Sequence, residues 1–233
     1  MIKSFLILIS LSIFLYSSQQ VVLVVSNDFN TSKAKLECFD NGKKVFSTID
    51  VNIGKKGLGW GLGEITLTQK KQDSIKYEGD KKAPIGVFKL SSVFGYDNRI
   101  NFNMPYLHAS KKLICVDDSD SKKYNQIIKM PKNKPKSFEY MRRDDLQYKL
   151  GVVVEHNKDT IAGRGSCIFI HVHKSKDAGT AGCTSMSYND LKNVVLWLDK
   201  SKNPILIQIP KSSSKEILKL YPELKSSELL KEK

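Results

Sequence analysis

Hydrophobic residues fall along this chain in short bursts between polar, Gly- or Pro-marked stretches, the rhythm of β-strands. Residues 21–25 (VVLVV) are the first β-branched burst. Residues 35–39 and 44–52 (KVFSTIDVN) predict two further strands, joined through Asp40-Asn41-Gly42, a hairpin sequence because Asn and Gly accept positive φ. Residues 84–90 (PIGVFKL), 113–116, 151–155 (GVVVE), 167–173 (CIFIHVH) and 204–209 (PILIQI) continue the series. Residues 187–198 (SYNDLKNVVLWL) are the one clear helix: Ser187 is placed to cap it, with Asp190 in the first turn, and Leu191, Val194, Val195 and Leu198 make one apolar face. The pattern predicts a mainly β domain with few helices, a β-sandwich or folded sheet with one helix after Cys183.

Three stretches break the rhythm. In residues 54–63, Leu58, Trp60 and Leu62 alternate with Gly; no helix follows, so this is a wide turn and not a phosphate loop. Residues 117–140 are polar, Pro-punctuated and carry Lys122, Lys123, Lys129, Lys132, Lys134 and Lys136, which leaves a lid over a cleft and a surface excursion both open. From Lys211 the composition turns to Ser, Lys, Glu and Leu, a polar C-terminal tail over 211–233 with an amphipathic helix around residues 217–230.

Composition narrows the class. Of the 233 residues 40% are hydrophobic and 27% charged, which excludes both a disordered chain and a multi-span membrane protein. Lys and Arg number 38 against 24 Asp and Glu, a net charge of +14 spread along the chain. No zinc-finger, RRM or P-loop pattern accompanies it, so nucleic acid is not the expected partner; an anionic envelope polymer or plain solubility remain. Residues 1–18 (MIKSFLILISLSIFLYSS) place Lys3 before an apolar run that ends in Ser17 and Ser18, the layout of a secretory signal peptide. Because the apolar character resumes at Val21, an uncleaved anchor is the alternative, and the only expected membrane contact. An exported protein of the periplasm or cell envelope follows.

The candidate chemistry lies between two strong patterns. His171 sits near the end of the CIFIHVH strand, and Cys183 lies in GTAGCTSMS just before the helix. A nearby imidazole and a helix N-terminus both favour thiolate, and Gly179 and Gly182 let backbone N–H groups at Gly182 and Cys183 cradle an oxyanion. Set against this, a lone Cys is usually packing and a lone His usually a satisfied structural residue. Strand alternation puts His171 and His173 on one face, whereas His156 and His108 read as surface or structural residues. No HExxH occurs, and no metal or cofactor is expected. Cys38, Cys115 and Cys167 lie in or beside strands, and two of them can pair in an oxidising compartment; a Cys167–Cys183 bond would instead silence the thiol.

These residues resemble a family. His171-Val172 followed by Thr180-Ala181-Gly182-Cys183-Thr184-Ser185-Met186 is similar to the signature of the YkuD-type L,D-transpeptidases. Residues 77–96 (YEGDKKAPIGVFKLSSVFGY) resemble the family's GD-x-x-TP-x-G-x-F segment, with Ala83 in place of Thr, and residues 165–171 resemble its GS-x-I-F-x-H strand. Asp117-Asp118 and Tyr124-Asn125 resemble a stretch of one branch. The likeness spans residues 21–210, so residues 19–210 are expected to form the catalytic domain. The chain departs from the family in its Thr-Ala-Gly-Cys motif, in Ser185 where many members carry Arg or Asn, and in a short His-to-Cys gap, the marks of a divergent branch.

The resemblance implies a cysteine acyltransferase acting on peptidoglycan stem peptides, with Cys183 as nucleophile and His171 as base. It implies an oxyanion and substrate-binding set of Gly182, Thr180, His173, Arg164 and Ser185. The thioester would be resolved by a stem amine (a 3→3 cross-link), by a lipoprotein Lys, or by water in an L,D-carboxypeptidase. A catalytically inactive wall-binding module is the reading from another class.

Overall fold

The computed structural model describes residues 19–98 and 101–231; the expected signal peptide, residues 1–18, lies outside the described residues. The chain opens with β1 (Gln20–Ser26) and β2 (Lys33–Asp40), an antiparallel pair with Val22 opposite Cys38. Asn41 (φ 48°) and Gly42 (φ 76°) make the expected turn into β3 (Lys43–Lys44). The single strand expected over 44–52 is interrupted, and only its second half, β4 (Ile49–Asn52), pairs again with β2. The Gly-rich turn contains a short strand, β5 (Leu58–Trp60).

β6 (Ala83–Gly95) is the longest strand at 13 residues, and it extends well past the apolar burst that announced it. It is buried along nearly its whole length because it is covered on both faces, which erases the alternation that an exposed face would leave. β7 (Tyr106–His108) runs parallel beside its end. Next come β8 (Leu113–Cys115), β9 (Ile127–Lys129) and β10 (Glu139–Tyr140), which form a separate three-stranded sheet in the order β10-β8-β9. The 117–140 stretch is therefore an ordered cap with two strands of its own. β11 (Leu150–Val154), β12 (Phe169–Val172) and β13 (Thr184–Met186) return to the main sheet. α1 (Tyr188–Trp197) is capped as expected, the Ser187 hydroxyl accepting from the Asp190 N–H. β14 (Ile205–Pro210) and α2 (Ser214–Leu220) end the fold.

The main sheet has 11 strands, nine along the path β1-β14-β6-β11-β12-β13-β4-β2-β3 and two, β5 and β7, paired beside β6; β1 also pairs with β2. That last pairing closes the sheet on itself, so the mainly β expectation is met by a curled, barrel-like sheet. The C-terminal segment is not a free polar tail: Ile217, Leu224 and Leu230 are buried in the main core, and the Ser227 hydroxyl donates to the buried Glu37 carboxylate at 2.6 Å. The long amphipathic helix expected there is cut to the seven residues of α2, because Pro222 follows it.

A second apolar cluster lies between the main sheet and the cap. It contains Phe94, Ala109, Cys115, Met141, Tyr148, Cys167, Phe169 and Cys183. A Cys115–Cys167 disulfide links β8 of the cap to the segment that enters β12. Cys167 is thereby committed, which overturns the alternative Cys167–Cys183 bond; Cys38 and Cys183 are free thiols. Cys167 also lies before the strand, in a left-handed conformation (φ 54°), and does not share the His171 face by alternation.

Candidate active site

β12 and β13 are parallel, with His171 opposite Ser185 and Ile170 opposite Thr184. The chain leaving β12 must therefore travel back along the sheet before β13 begins. Residues 173–183 make this return, and Cys183 is the last residue before re-entry. One step beyond the ladder, Cys183 faces Phe169, whose N–H donates to Sγ at 3.3 Å. Residues two apart on a strand share a face, so Cys183 and Ser185 on one strand and His171 on its neighbour point the same way. All three line one cavity of about 200 Å³.

The turn that presents the thiol is locked internally. The Thr180 hydroxyl donates to the Cys183 carbonyl at 2.5 Å and accepts from the Gly182 N–H at 3.1 Å. The Thr180 backbone is itself pinned to Ile53 and Lys55, at 2.9 Å each. Gly182 has φ 154°, and a Cβ there would lie 3.0 Å from the Lys82 carbonyl oxygen, so a larger residue would strain the turn. The Gly182 amide, expected to face an oxyanion, is committed to Thr180 in this state.

Burial dominates the electrostatics. It pushes the Cys183 thiol up to about 12, helped by the negative charge of Glu139 and opposed by the Phe169 N–H, Lys76 and Arg143. The S–H points to the Cys167 carbonyl, 3.5 Å away. Burial likewise lowers His171 to about 4. Its Nδ1 lies 2.8 Å from the Val172 carbonyl, which can only accept, so Nδ1 carries the proton and Nε2 keeps its lone pair. The resting pair is a neutral thiol and a neutral imidazole. The expected help from a helix N-terminus is missing because β13 separates Cys183 from α1, and that field fades within about one turn.

The remaining expected residues divide. Thr180 and Ser185 line the cavity with Cys183 and His171. The Ser185 hydroxyl is buried and has no hydrogen-bond partner among the described residues. His173 does not join them. β12 stops at Val172, the His173 N–H turns to the Met186 carbonyl, and the side chain lines a separate groove of about 690 Å³ with Asn52 and Asp190. Arg164 also lies elsewhere, its Nε 3.4 Å from the Lys76 carbonyl and its guanidinium over the Tyr77 ring. His156 is buried, with Nδ1 accepting from the Leu62 N–H and Nε2 facing the Arg164 carbonyl. His108 is exposed at the end of β7.

Sequence reasoning missed Glu139, Arg143, Gln147, Tyr148 and Lys174 on the cavity wall. The Tyr148 ring packs edge-on against His171 with centroids 5.3 Å apart, and its hydroxyl donates to Glu139 at 2.5 Å. Arg143 lies over the same ring, 5.1 Å from its centroid, and forks onto Asp145. One signal was available: the chain has only four Arg among its many Lys, and Arg142 and Arg143 are adjacent. Among the described residues no group of three or more His, Cys, Asp or Glu is placed to hold a metal, and no helix is long and apolar enough to cross a membrane.

Comparison with known proteins gives one match. Residues 21–207 fit the family model for YkuD, the L,D-transpeptidase catalytic domain. No curated protein and no solved structure matches the chain.

Proposed function

The chain belongs to the YkuD family of L,D-transpeptidase catalytic domains, which act on peptidoglycan stem peptides, and on that premise we propose that it forms a thioester between Cys183 and a donor stem. The observation that carries this reading is the shared cavity: a thiol and an imidazole with a free Nε2 lone pair project from one face of adjacent strands. The Cys183 sulfur attacks the carbonyl at the L-centre of the stem's third residue as its proton passes to His171 Nε2. The carbon–nitrogen bond to the terminal D-Ala then breaks, and the imidazolium returns the proton to the departing amine. Because both groups rest neutral, proton transfer accompanies the attack instead of preceding it.

The Cys183 amide is one oxyanion donor, and the Gly182 amide joins it by exchanging its bond to Thr180. Thr180 is thus a positioning residue for the turn. An amine of a second stem resolves the thioester, giving a 3→3 cross-link. We place this reaction outside the cytoplasm, after removal of residues 1–18, where the basic surface favours a polyanionic wall.

Intact-protein mass spectrometry after incubation with a carbapenem tests the nucleophile. A covalent adduct on Cys183, lost in Cys183→Ala and strongly slowed in His171→Ala, is expected; an unmodified wild-type protein overturns the reading in favour of a wall-binding module. Incubation with tetrapeptide stems then separates the outcomes: 3→3 dimers support transfer, tripeptides alone indicate hydrolysis, and a stem on an added lipoprotein Lys indicates anchoring.

A further inference from the structure

The groove that holds His173 has no part in the chemistry above. Its volume of about 690 Å³ is that of a small-ligand site. The break in the strand expected over 44–52 builds one wall, because it leaves Phe46 and Ser47 outside the ladder, and the Phe46 ring packs edge-on against Trp197 of α1 with centroids 5.8 Å apart. α1 builds another, where Ser187, Asp190 and Asn193 recur at helical spacing. Charge separates this groove from the rest of the surface. The chain carries +14, yet the lining holds two Lys and two Asp. Lys33 is paired with Asp177 and Asp50 with Lys35, each at 2.8 Å. The His173 ring, the Asn193 amide and the Ser47 hydroxyl make no hydrogen bond among the described residues. Neutral donors and acceptors without partners, beside a half-buried aromatic ring, suit a neutral polyhydroxylated ligand: its hydroxyl and amide groups pair with the former, and the C–H face of a sugar covers the ring. A polyanion finds no excess of positive charge here.

Position says which sugar. Ser185 of β13 lies directly opposite Asn52 of β4, and such residues share a face. Ser185 lines the Cys183 cavity and Asn52 lines the groove, so the two hollows begin about 4.8 Å apart, one strand spacing. The return from β12 to β13 is the wall between them: Lys174 and Gly179 face the cavity, His173 and Lys176 face the groove, and Asn52 Nδ2 donates to the Ser175 carbonyl at 3.2 Å. A stem's third residue is three residues from the sugar that bears it, at most about 10 Å of extended chain. With that residue over Cys183, its sugar falls within reach of the groove.

We propose that this groove is a glycan subsite, which takes the neutral N-acetylated amino sugar that bears the donor stem, with Phe46 under the sugar's C–H face and Asn193 and His173 on its polar groups. The stem's placement rests on the acyl-transfer reading above. His173 then acts outside the Cys183 cavity, on the carrier of the stem and remote from the bond that breaks. Such remote contacts hold the stem in register over the thiol.

The test uses the full-length protein with its disulfide intact and two donors, a tetrapeptide stem alone and the same stem on its disaccharide. Release of D-Ala gives KM and kcat, and mass confirms the thioester. In wild type the disaccharide is expected to lower KM about tenfold, the gain of one or two net hydrogen bonds, and to leave kcat within about twofold because the sugar touches no reacting atom. In Asn193→Ala, at an exposed helix position, and in Phe46→Leu, which keeps an apolar side chain, the KM ratio of the two donors falls to within about twofold. A general folding defect would slow both donors and leave that ratio as in wild type. A second measurement needs no acyl transfer: saturation-transfer NMR of the free disaccharide with Cys183→Ala protein, where a signal on the acetyl methyl is expected and is lost on adding Phe46→Leu. Equal KM for the two donors, an undiminished ratio in Asn193→Ala, or no saturation transfer to the disaccharide overturns the glycan subsite alone. Failure of wild type to acylate either donor overturns the acyl-transfer reading, and the NMR signal then decides the subsite by itself.

Discussion

Removing the Cys115–Cys167 disulfide with the double substitution Cys115→Ser, Cys167→Ser should both destabilise the fold and loosen the thiol's surroundings. The bond closes a loop of 52 residues, which in the chain-entropy picture removes about 4 kcal/mol worth of freedom from the unfolded chain. With a urea slope of roughly 3 kcal/mol/M for a domain of this size, the unfolding midpoint should fall by roughly 1.3 M. The local effect follows from position. Cys167 is held left-handed, its N–H accepted by Asn125 Oδ1 at 2.9 Å and its carbonyl facing the Cys183 S–H. Freed from β8, this backbone has less reason to remain strained, and alkylation of Cys183 should accelerate. Urea unfolding followed by fluorescence measures the first effect, and mass-resolved alkylation the second. A midpoint shift below roughly 0.3 M would refute the loop-closure reasoning, because it would mean that the cap and main sheet constrain the unfolded chain equally without the bond. A thiol count under denaturing, non-reducing conditions should find only Cys38 and Cys183.

Further expectations follow from single positions. Gly182→Ala forces a Cβ to 3.0 Å from the Lys82 carbonyl at φ 154°, and should cost about 1–3 kcal/mol and slow adduct formation at Cys183 more than it lowers Tm. His156 and His171 both lie near 4, below the ordinary 6.5, so the unfolded chain binds more protons between these values. Stability is then complete above pH 6.5 and is lost as the pH falls toward 4, by about 3 kcal/mol for each His; urea midpoints at pH 7.5 and 4.5 check this, and an unchanged midpoint refutes it. Ile217→Ala and Leu224→Ala, each fully buried, should cost about 2–4 kcal/mol, whereas Leu220→Ala at 48% exposure should change stability by less than about 0.5 kcal/mol. Equal effects at all three would mean that the C-terminal segment is not docked.

Where a residue's neighbours are close in sequence, the chain announced its structure. β1, β11, β14 and α1 appeared near their observed bounds, because each has a compact apolar burst or face and α1 carries its own Ser187 cap. The cap sheet was hidden, since β9 and β10 are three and two residues long within a Lys-rich stretch. His173 lies outside the Cys183 cavity because alternation holds only within a strand, and nothing in CIFIHVH marks the stop at Val172. Cys183 and His171 were visible through residue chemistry and the likeness to known motifs. Glu139, Arg143 and Tyr148 were not, because only tertiary folding brings the cap and the segment before β11 against β12. The adjacent Arg142 and Arg143 were their one local mark.

The state of the thiol changes what the site must accomplish. A pre-ionised Cys requires an exposed, electropositive pocket, and such a sulfur is also the one that oxidants find first. Here the sulfur is buried at 7% exposure among Phe169, Tyr148 and the disulfide, and its imidazole partner is uncharged. Desolvation that suppresses the thiolate also strengthens every charge interaction made once a ligand excludes the remaining water. Under the acyl-transfer reading, the resting enzyme gives up standing reactivity and recovers it only with a stem in place. A neutral pair under a disulfide-tied cap has a kinetic consequence: small alkylating agents should react slowly, while a carbapenem that fills the cavity and engages its polar wall should react faster than its intrinsic electrophilicity predicts. If iodoacetamide and a carbapenem instead rank as they do with a simple free thiol, the cavity contributes nothing to activation, and the argument from burial fails.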